Sequence, residues 1–412
     1  MYFYKINNQF AFSLFQIDGL QIGHLQDLHS HDKLYYLFKG NPINTRDTYV
    51  VSHEDLLFIH KEDYNLLNVS DNKDYNLPIQ VVHKIREKKV TGINILFPNW
   101  KDKLVYTKKK KYKINVLGLG DVGSTLAIGL RLLGGDILDE IGIYSRNEST
   151  QKRWFYELGQ IYSTDKKSFP KVTMCSYDDL FHCDFFAFCA SAFIPPVGEK
   201  IADVRMAQFE KNSNIIDLYA KEARKRNFKG IFGVVSDPVD LLCKKAYLSS
   251  NTNGDGHFDS LGLSPSQIQG YGLGVMHGRA AFYSNFVDGA QGYPVNGRAF
   301  GPHGKGLIIA NNINDYNHEL SLTLTDKTIK ANLDVRALGF KPYIAPALSS
   351  GALSILATLR GHWNFSATFL GDIFMGSKNR RLDNVIEMER NKLDPVLLHR
   401  IEETYNYLRS IL

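Results

Sequence analysis

Three glycines in the run Gly118-Leu119-Gly120-Asp121-Val122-Gly123 are spaced to bring a polypeptide backbone against a pyrophosphate. The first permits a sharp turn after a strand, the second lets the phosphates touch the main chain, and the third lets strand and helix pack closely. The flanks suit that reading. Ile114–Leu117 is an apolar run of strand length, and Ser124–Leu133 carries apolar residues at helical spacing. A helix starting there turns its unpaired N–H groups toward the phosphates, so Gly118, Gly120, Asp121, Val122 and Gly123 are candidate dinucleotide-binding residues. A second strand, Glu140–Tyr144, ends where a residue that reads the adenosine ribose belongs. An acidic side chain there would bond the 2′-hydroxyl and repel a 2′-phosphate. This chain has Ser145 and Arg146 instead, which favours NADP and leaves NAD possible, the alternative being an Arg that simply faces solvent.

Further strands bring more residues to the same end of a sheet. Phe185–Ala192 is a buried run ending in small residues, which places Ala190 beside the expected crevice. Ile231–Val235 is closed by Ser236-Asp237-Pro238, where the proline stops the strand and leaves Asp237 at its carboxyl end, the position at which open α/β sheets hold ligands. Metal chemistry has little support. His29 and His31 lack neighbouring ligands, and residues 251–262 imitate a calcium loop at the first, third, fifth and sixth positions but end in Gly262 rather than a bidentate Glu. The expected metal complement is none, with residues 251–262 forming an Asn/Gly/Asp turn cluster.

The elements that must position these groups alternate strand and helix from Lys113 onward, with helices expected over Glu148–Leu158 and Asn212–Arg226 and strands at Lys171–Met174 and Ile231–Val235. That rhythm implies an α/β chain: a Rossmann doubly wound parallel sheet plus an α+β substrate domain. Residues 1–112 carry short β-rich runs, Tyr35–Phe38, Tyr49–Ser52 and Ile79–His83, and read as a small additional β-rich N-terminal domain. The expected units are therefore 1–112, 113–255 and 256–412, with Ser349-Ser350-Gly351 and an amphipathic helix over Leu397–Leu412 in the last. Net charge is +6 over 412 residues, and residues 101–113 alone hold seven Lys against Asp102. The rest of the chain balances, so no nucleic-acid footprint follows; Lys108–Lys111 reads as a solvated linker, with an anionic partner as the alternative. Four scattered cysteines, Cys175, Cys183, Cys189 and Cys243, indicate neither a zinc site nor a disulfide framework. No export signal or membrane span is evident, and a cytoplasmic location is expected.

The order of motifs from 113 to 412 resembles the lactate/malate dehydrogenase family. Ser236-Asp237-Pro238-Val239-Asp240 looks like the family's Ser-Asn-Pro-Val-Asp, Gly262–Gly272 like the loop before its catalytic helix, and Gly301-Pro302-His303-Gly304 like its Gly-Glu-His-Gly. Arg205–Asn212 is similar to the end of its mobile loop. The resemblance implies that His303 exchanges a proton with the substrate oxygen, that Arg205 polarises the carbonyl, and that Arg279, seven residues after Gly272, holds a small-molecule carboxylate as a fork. Ser350 joins Arg279 and Asp237 as a candidate substrate contact, and a homo-oligomer is implied.

Two departures bear on chemistry. Met276 stands where the family has the Asp that orients its histidine, with His277 beside it, and Asp237 stands where the family has a substrate-facing Asn. A thioether cannot stabilise imidazolium, so either Asp237 supplies the charge or the proton chemistry differs. An Asp near the substrate disfavours a plain 2-oxo carboxylate, and no arginine precedes Gly198 to hold a second carboxylate as malate would require. The expected function is an NAD(P)-dependent oxidoreductase acting on a 2-hydroxy/2-oxo acid or a relative. The competing expectation is a dinucleotide-binding sensor or scaffold without turnover, in which residues 1–112 carry the interaction.

Overall fold

The computed structural model describes residues 1–29, 32–69, 75–105, 109–165, 168–192 and 204–411, with the side chains of residues 27, 204 and 205 outside that description. His31, Lys108 and Gly198 thus lie outside the described residues, as does the side chain of Arg205.

The first unit is a five-stranded mixed sheet, β1 (Tyr2–Ile6), β2 (Gln9–Ser13), β3 (Leu34–Phe38), β4 (Thr48–Val50) and β5 (Val90–Asn94), in the order β1-β2-β3-β5-β4. The expected strand at Ile79–His83 is instead the start of helix α1 (Ile79–Arg86). Val81 and Ile85, one helical turn apart, are both buried with Phe12 and Leu34, and this burial overrides the local β preference of Ile and Val.

From Tyr112 the chain builds the second sheet: β6 (Tyr112–Leu117), α2 (Asp121–Leu133), β7 (Leu138–Tyr144), α3 (Glu148–Gly159), β8 (Lys171–Met174), β9 (Phe185–Phe188), α4 (Val204–Lys225), β10 (Ile231–Val234), α5 (Val239–Asn251) and β11 (Ile268–Gly270). These six strands are parallel in the order β8-β7-β6-β9-β10-β11, the doubly wound arrangement whose direction of winding reverses between β6 and β9. The strand expected over Phe185–Ala192 ends at Phe188, because the chain turns there to pass over Gly118.

After α6 (Leu273–Tyr283) and the short α7 (Tyr293–Asn296) come β12 (Arg298–Phe300), β13 (Ile308–Ala310), α8 (His318–Ala337), a π-helical segment Pro346–Leu353 and α9 (Ser354–Arg360). The antiparallel strands β14 (Asn364–Leu370), β15 (Ile373–Leu382) and β16 (Val385–Met388) then extend the parallel sheet beyond β11 to nine strands, and α10 (Pro395–Arg409) closes the chain. The sheet therefore crosses residue 255. In residues 251–262 the side-chain oxygen of Asn253 accepts from the N–H groups of Asp255 and His257, and that of Asn251 from Gly262, so these oxygens organise a turn.

The first sheet is fused to the rest by a shared core. Phe12, Leu34, Val51, Leu67, Val81 and Ile85 pack in one cluster with Ile308, Ile373, Met375, Leu397, Ile401 and Tyr405. Polar ties accompany it. Arg390 holds Asp55 through both Nη atoms at 2.5 and 2.8 Å and donates to the carbonyls of Leu66 and Asn68. Asp47, 1% exposed, accepts from the Ser266 N–H and hydroxyl at 2.8 and 2.7 Å and pairs with Lys103 at 3.0 Å. Burial alone would raise the Asp47 carboxyl, but Lys103 and the two Ser266 bonds outweigh it and hold its pKa below the usual range.

A folded pKa below the unfolded one means that Asp47 contributes stability above the ordinary Asp value of about 3.9, and that this contribution is lost as pH falls through the folded pKa. Asp47→Ala strands Lys103 and the Ser266 donors at the junction and is expected to cost about 3–5 kcal/mol in urea unfolding at pH 7. The difference between parent and variant should shrink below about pH 4; a gap that persists unchanged in acid would show that the Asp47 charge is not what ties the units together.

Candidate functional site

The glycine turn divides its work among its three glycines. Gly118 sits at φ +93°, and a Cβ on it would lie 2.9 Å from the Ala190 nitrogen. A Cβ on Gly123 would lie 1.9 Å from the Gly118 carbonyl oxygen, so α2 can start hard against β6 only because that atom is missing. Gly120 is different: nothing lies within 4 Å of the place its Cβ would occupy. It is the N-cap of the 13-residue α2, so a group approaching its backbone meets open space beside the helix's free N–H groups, which suits a phosphate there. Asp121, in the first turn, lies 3.4 Å from the exposed Lys341 amine.

At the end of β7, the Ser145 hydroxyl accepts from the Asn147 N–H at 3.2 Å, and Asn147 caps α3. Arg146 is exposed and makes no ion pair among the described residues. Both lie where the adenosine ribose of a dinucleotide on the glycine turn belongs.

The second half of the site forms where β9 and β10 end. The Ser236 hydroxyl donates to the Ala190 carbonyl at 2.8 Å. Asn212 of α4, 1% exposed, accepts from the Ala192 N–H at 2.9 Å and donates to the Asp237 carbonyl at 2.8 Å. It clamps the two strand ends together. Nothing in its local sequence signals this, because its partners are main-chain atoms 20 and 25 residues away.

Asp237, so placed, meets His303 with 3.2 Å between Oδ1 and Nδ1. His303 rides a tight loop after β12 in which Gly301 at φ +88° passes 2.5 Å, from its missing Cβ, to the Gly306 carbonyl, and Gly272 leaves room for the His303 side chain. Arg279, on α6, is partly buried; burial pulls its pKa down and the Asp237 carboxylate pulls it back up. Its Nη1 lies 3.6 Å from the Met276 sulfur, and among the described residues no carboxylate pairs with it. Asp237 thus couples to both an imidazole and a guanidinium.

One sequence expectation changes. Ser350, expected to touch substrate, is 2% exposed, donates to the Gly272 carbonyl at 2.9 Å and accepts from the Val275 N–H at 2.8 Å. Its hydroxyl fixes the start of α6 and thereby positions Arg279. His277, beside Met276, stacks on Phe365 at 4.1 Å and bonds the Tyr293 hydroxyl; burial first, then Arg298 and Lys378, push it down to about 4. It is a neutral core residue. Among the described residues no group of three or more His, Cys, Asp or Glu could hold a metal ion.

Comparison with known proteins covers the same segment. Residues 112–257 match the family model described as lactate/malate dehydrogenase, NAD binding domain. An L-lactate dehydrogenase of Clostridium botulinum (strain Loch Maree / Type A3) is 30% identical over 140 residues, which is 34% of this chain and 41% of that protein. L-lactate dehydrogenase 2 of Peribacillus psychrosaccharolyticus is 26% identical over 194 residues, 47% of this chain and 54% of that protein. The chain thus spans about half or less of the length of these curated relatives. Likeness of fold reaches further: a ligand-bound minor L-lactate dehydrogenase from Enterococcus mundtii superimposes with TM-score 0.59 at 19% identity over 74% of this chain and 98% of that one. A malate dehydrogenase from Archaeoglobus fulgidus in complex with NADH gives 0.58 at 18% identity over 72% and 97%.

The glycine geometry makes a pair of opposite expectations. Gly123→Ala drives a methyl into the Gly118 carbonyl and should lower stability by about 3 kcal/mol or more, whereas Gly120→Ala meets open space and should cost only the N-cap preference of Gly over Ala, about 1 kcal/mol. Thermal unfolding of the two variants checks this; equal midpoints would refute the packing assigned to Gly123.

Proposed function

We propose that the chain is a relative of the lactate/malate dehydrogenases, whose NAD binding domain residues 112–257 match, and that it is an NAD(P)-dependent oxidoreductase interconverting a 2-hydroxy and a 2-oxo acid or a close relative. The observation that carries the proposal is the Asp237–His303 pair at 3.2 Å, set at the carboxyl ends of the strands that also carry the glycine turn. We take residues 113–255 as the unit for the dinucleotide and 256–412 as the unit for substrate.

A bound nicotinamide supplies or accepts the hydride. In the reducing direction the carbonyl oxygen gains negative charge as hydride reaches its carbon, and His303 delivers a proton to that oxygen. Asp237, next to Nδ1, balances the imidazolium charge that precedes this transfer, a job that Met276 cannot do. Arg279, with no carboxylate partner among the described residues, is placed to take the substrate carboxylate as a bidentate fork. Arg205 remains the proposed stabiliser of the oxyanion, on the resemblance alone.

Purified protein should oxidise NADPH or NADH in the presence of one or more members of a 2-oxo acid panel. His303→Asn should abolish this while dinucleotide fluorescence still reports binding, and Asp237→Asn, although it recreates the family's residue, should lower kcat by about 10²-fold. An Asp237→Asn protein as active as the parent would mean that the histidine works unassisted. Binding of the dinucleotide without turnover of any acid would favour the sensor or scaffold reading.

For the adenosine end, the relatives' names point to NAD, whereas Ser145 and the exposed Arg146 suit a 2′-phosphate; we propose that NADP is accepted through Arg146. Ser145→Asp combined with Arg146→Ile should move preference toward NAD by about ten- to a hundred-fold, the equivalent of one charge-assisted bond. Tighter binding of NAD than NADP by the unmodified protein would overturn the assignment.

A further inference from the structure

Residues 1–105 take no part in the chemistry above, yet their core reaches the loop that carries His303. Phe300 is the last residue of β12 and Ile308 the first of β13, so the two flank that loop. Both are buried in one cluster with Val51, Leu57 and Leu67 of the first unit and with Leu397, Ile401 and Tyr405 of α10. The C-terminal helix therefore lies against both bodies.

Toward the loop, Thr404 of α10 is 6% exposed and donates its hydroxyl to the Gly306 carbonyl at 2.9 Å. Its Cγ2 lies 3.1 and 3.3 Å from the places that Cβ atoms would take on Gly301 and Gly306, so one side chain spans both ends of the loop. The Gly301 N–H, donated to the Gly376 carbonyl at 2.9 Å, anchors the loop from β15. Lys305 stands over the Tyr407 ring at 4.7 Å, about one turn of α10 beyond Thr404. Toward the first unit, Tyr405 packs its ring against Tyr64 with centroids 5.8 Å apart. A Cβ on Gly371, in the β14–β15 turn, would lie 2.3 Å from the Glu62 carbonyl oxygen and 2.9 Å from the Tyr405 hydroxyl, so turn, first unit and helix meet at one point. Arg409 holds the same turn through Asp372 at 2.8 Å. Consecutive residues of one helix thus serve the histidine loop and the first unit.

We propose that the first unit is a positioning element for His303, acting through α10, and that Thr404 is the positioning residue by which the helix fixes the loop. The inference rests on His303 being the proton donor of the reaction. Proton transfer requires the imidazole within hydrogen-bond reach of the substrate oxygen, and a misplacement of about 1 Å can cost a hundredfold in rate. Gly301, Gly304 and Gly306 all sit at positive φ, and glycine gives a chain freedom rather than stiffness, so the loop takes its order from what packs on it. That support is α10, and the first unit braces α10.

Turnover kinetics and hydrogen exchange on the full chain test this together. Thr404→Val keeps the shape and removes the donor to Gly306. It should lower kcat about ten- to a hundredfold with KM and dinucleotide Kd unchanged, and amides of residues 301–307 should exchange about tenfold faster. Thr404→Ser keeps the hydroxyl and should restore most of both, a rescue that a merely space-filling threonine would not show. Tyr64→Leu keeps apolar volume but loses the ring against Tyr405, and should give a smaller loss of the same kind; the unfolding midpoint checks that each variant remains folded. Parent-like kcat in Thr404→Val, a loss that Thr404→Ser does not reverse, or unchanged exchange at 301–307 in Thr404→Val or Tyr64→Leu would overturn the proposal. A parent protein that turns over no 2-oxo acid overturns the dehydrogenase reading instead, and the exchange measurement still decides whether the first unit and α10 fix the loop.

Discussion

The close approach of α2 to the end of β6 is the constraint from which the rest of the site follows. It needs a missing side chain at Gly123, 1.9 Å from the Gly118 carbonyl, and another at Gly118, over which Cys189 and Ala190 fold. With both absent, the reversal of winding between β6 and β9 opens a crevice at the strand ends and points the N–H groups of α2 into it. The same helix then carries position outward. Gly129 admits Ala352 and Leu348 of the π-helical segment, and Ser350 of that segment ties down the start of α6, the helix of Arg279. The helix of the glycine turn and the helix of Arg279 therefore share one spacer.

A different balance holds the first 105 residues. On the side facing the second sheet, their sheet shares its core with the rest of the chain, since Phe12, Leu34 and Val81 pack in one cluster with Ile373, Leu397 and Ile401. Apolar burial supplies attraction without direction, and the buried polar ties of Asp47 with Ser266 and Asp55 with Arg390 fix which face meets which. Glu62 shows the cost of such ties: burial raises its pKa despite the Arg46 guanidinium 2.9 Å away.

The departures at Met276 and Asp237 are two sides of one change. Met276 on α6 offers His303 no charge, and the carboxylate beside its ring comes instead from Asp237 at the end of β10. Arg279 shares that carboxylate's field, which raises its pKa against the lowering by burial.

Sequence alone determined the local chemistry. The spacing of Gly118, Gly120 and Gly123 is a backbone requirement met within six residues, and the run of strands and helices from Lys113 to Val235 follows from side-chain periodicity, so both were legible. Asp237 at a strand's carboxyl end was equally legible, because Pro238 stops the strand wherever it packs. Tertiary structure decided what depends on distant partners. The segment from Ile79 reads locally as strand and becomes helix because Phe12 and Leu34 bury one face of it. Ser350 has the chemistry of a substrate contact, yet main-chain groups at Gly272 and Val275 occupy its hydroxyl. Asn212 looks like any polar helix residue until two strand ends meet on it. That Asp237 reaches His303 was set by direction in space, which no spacing along the chain encodes: its carboxylate lies 3.2 Å from the ring, while His277 is turned into the core.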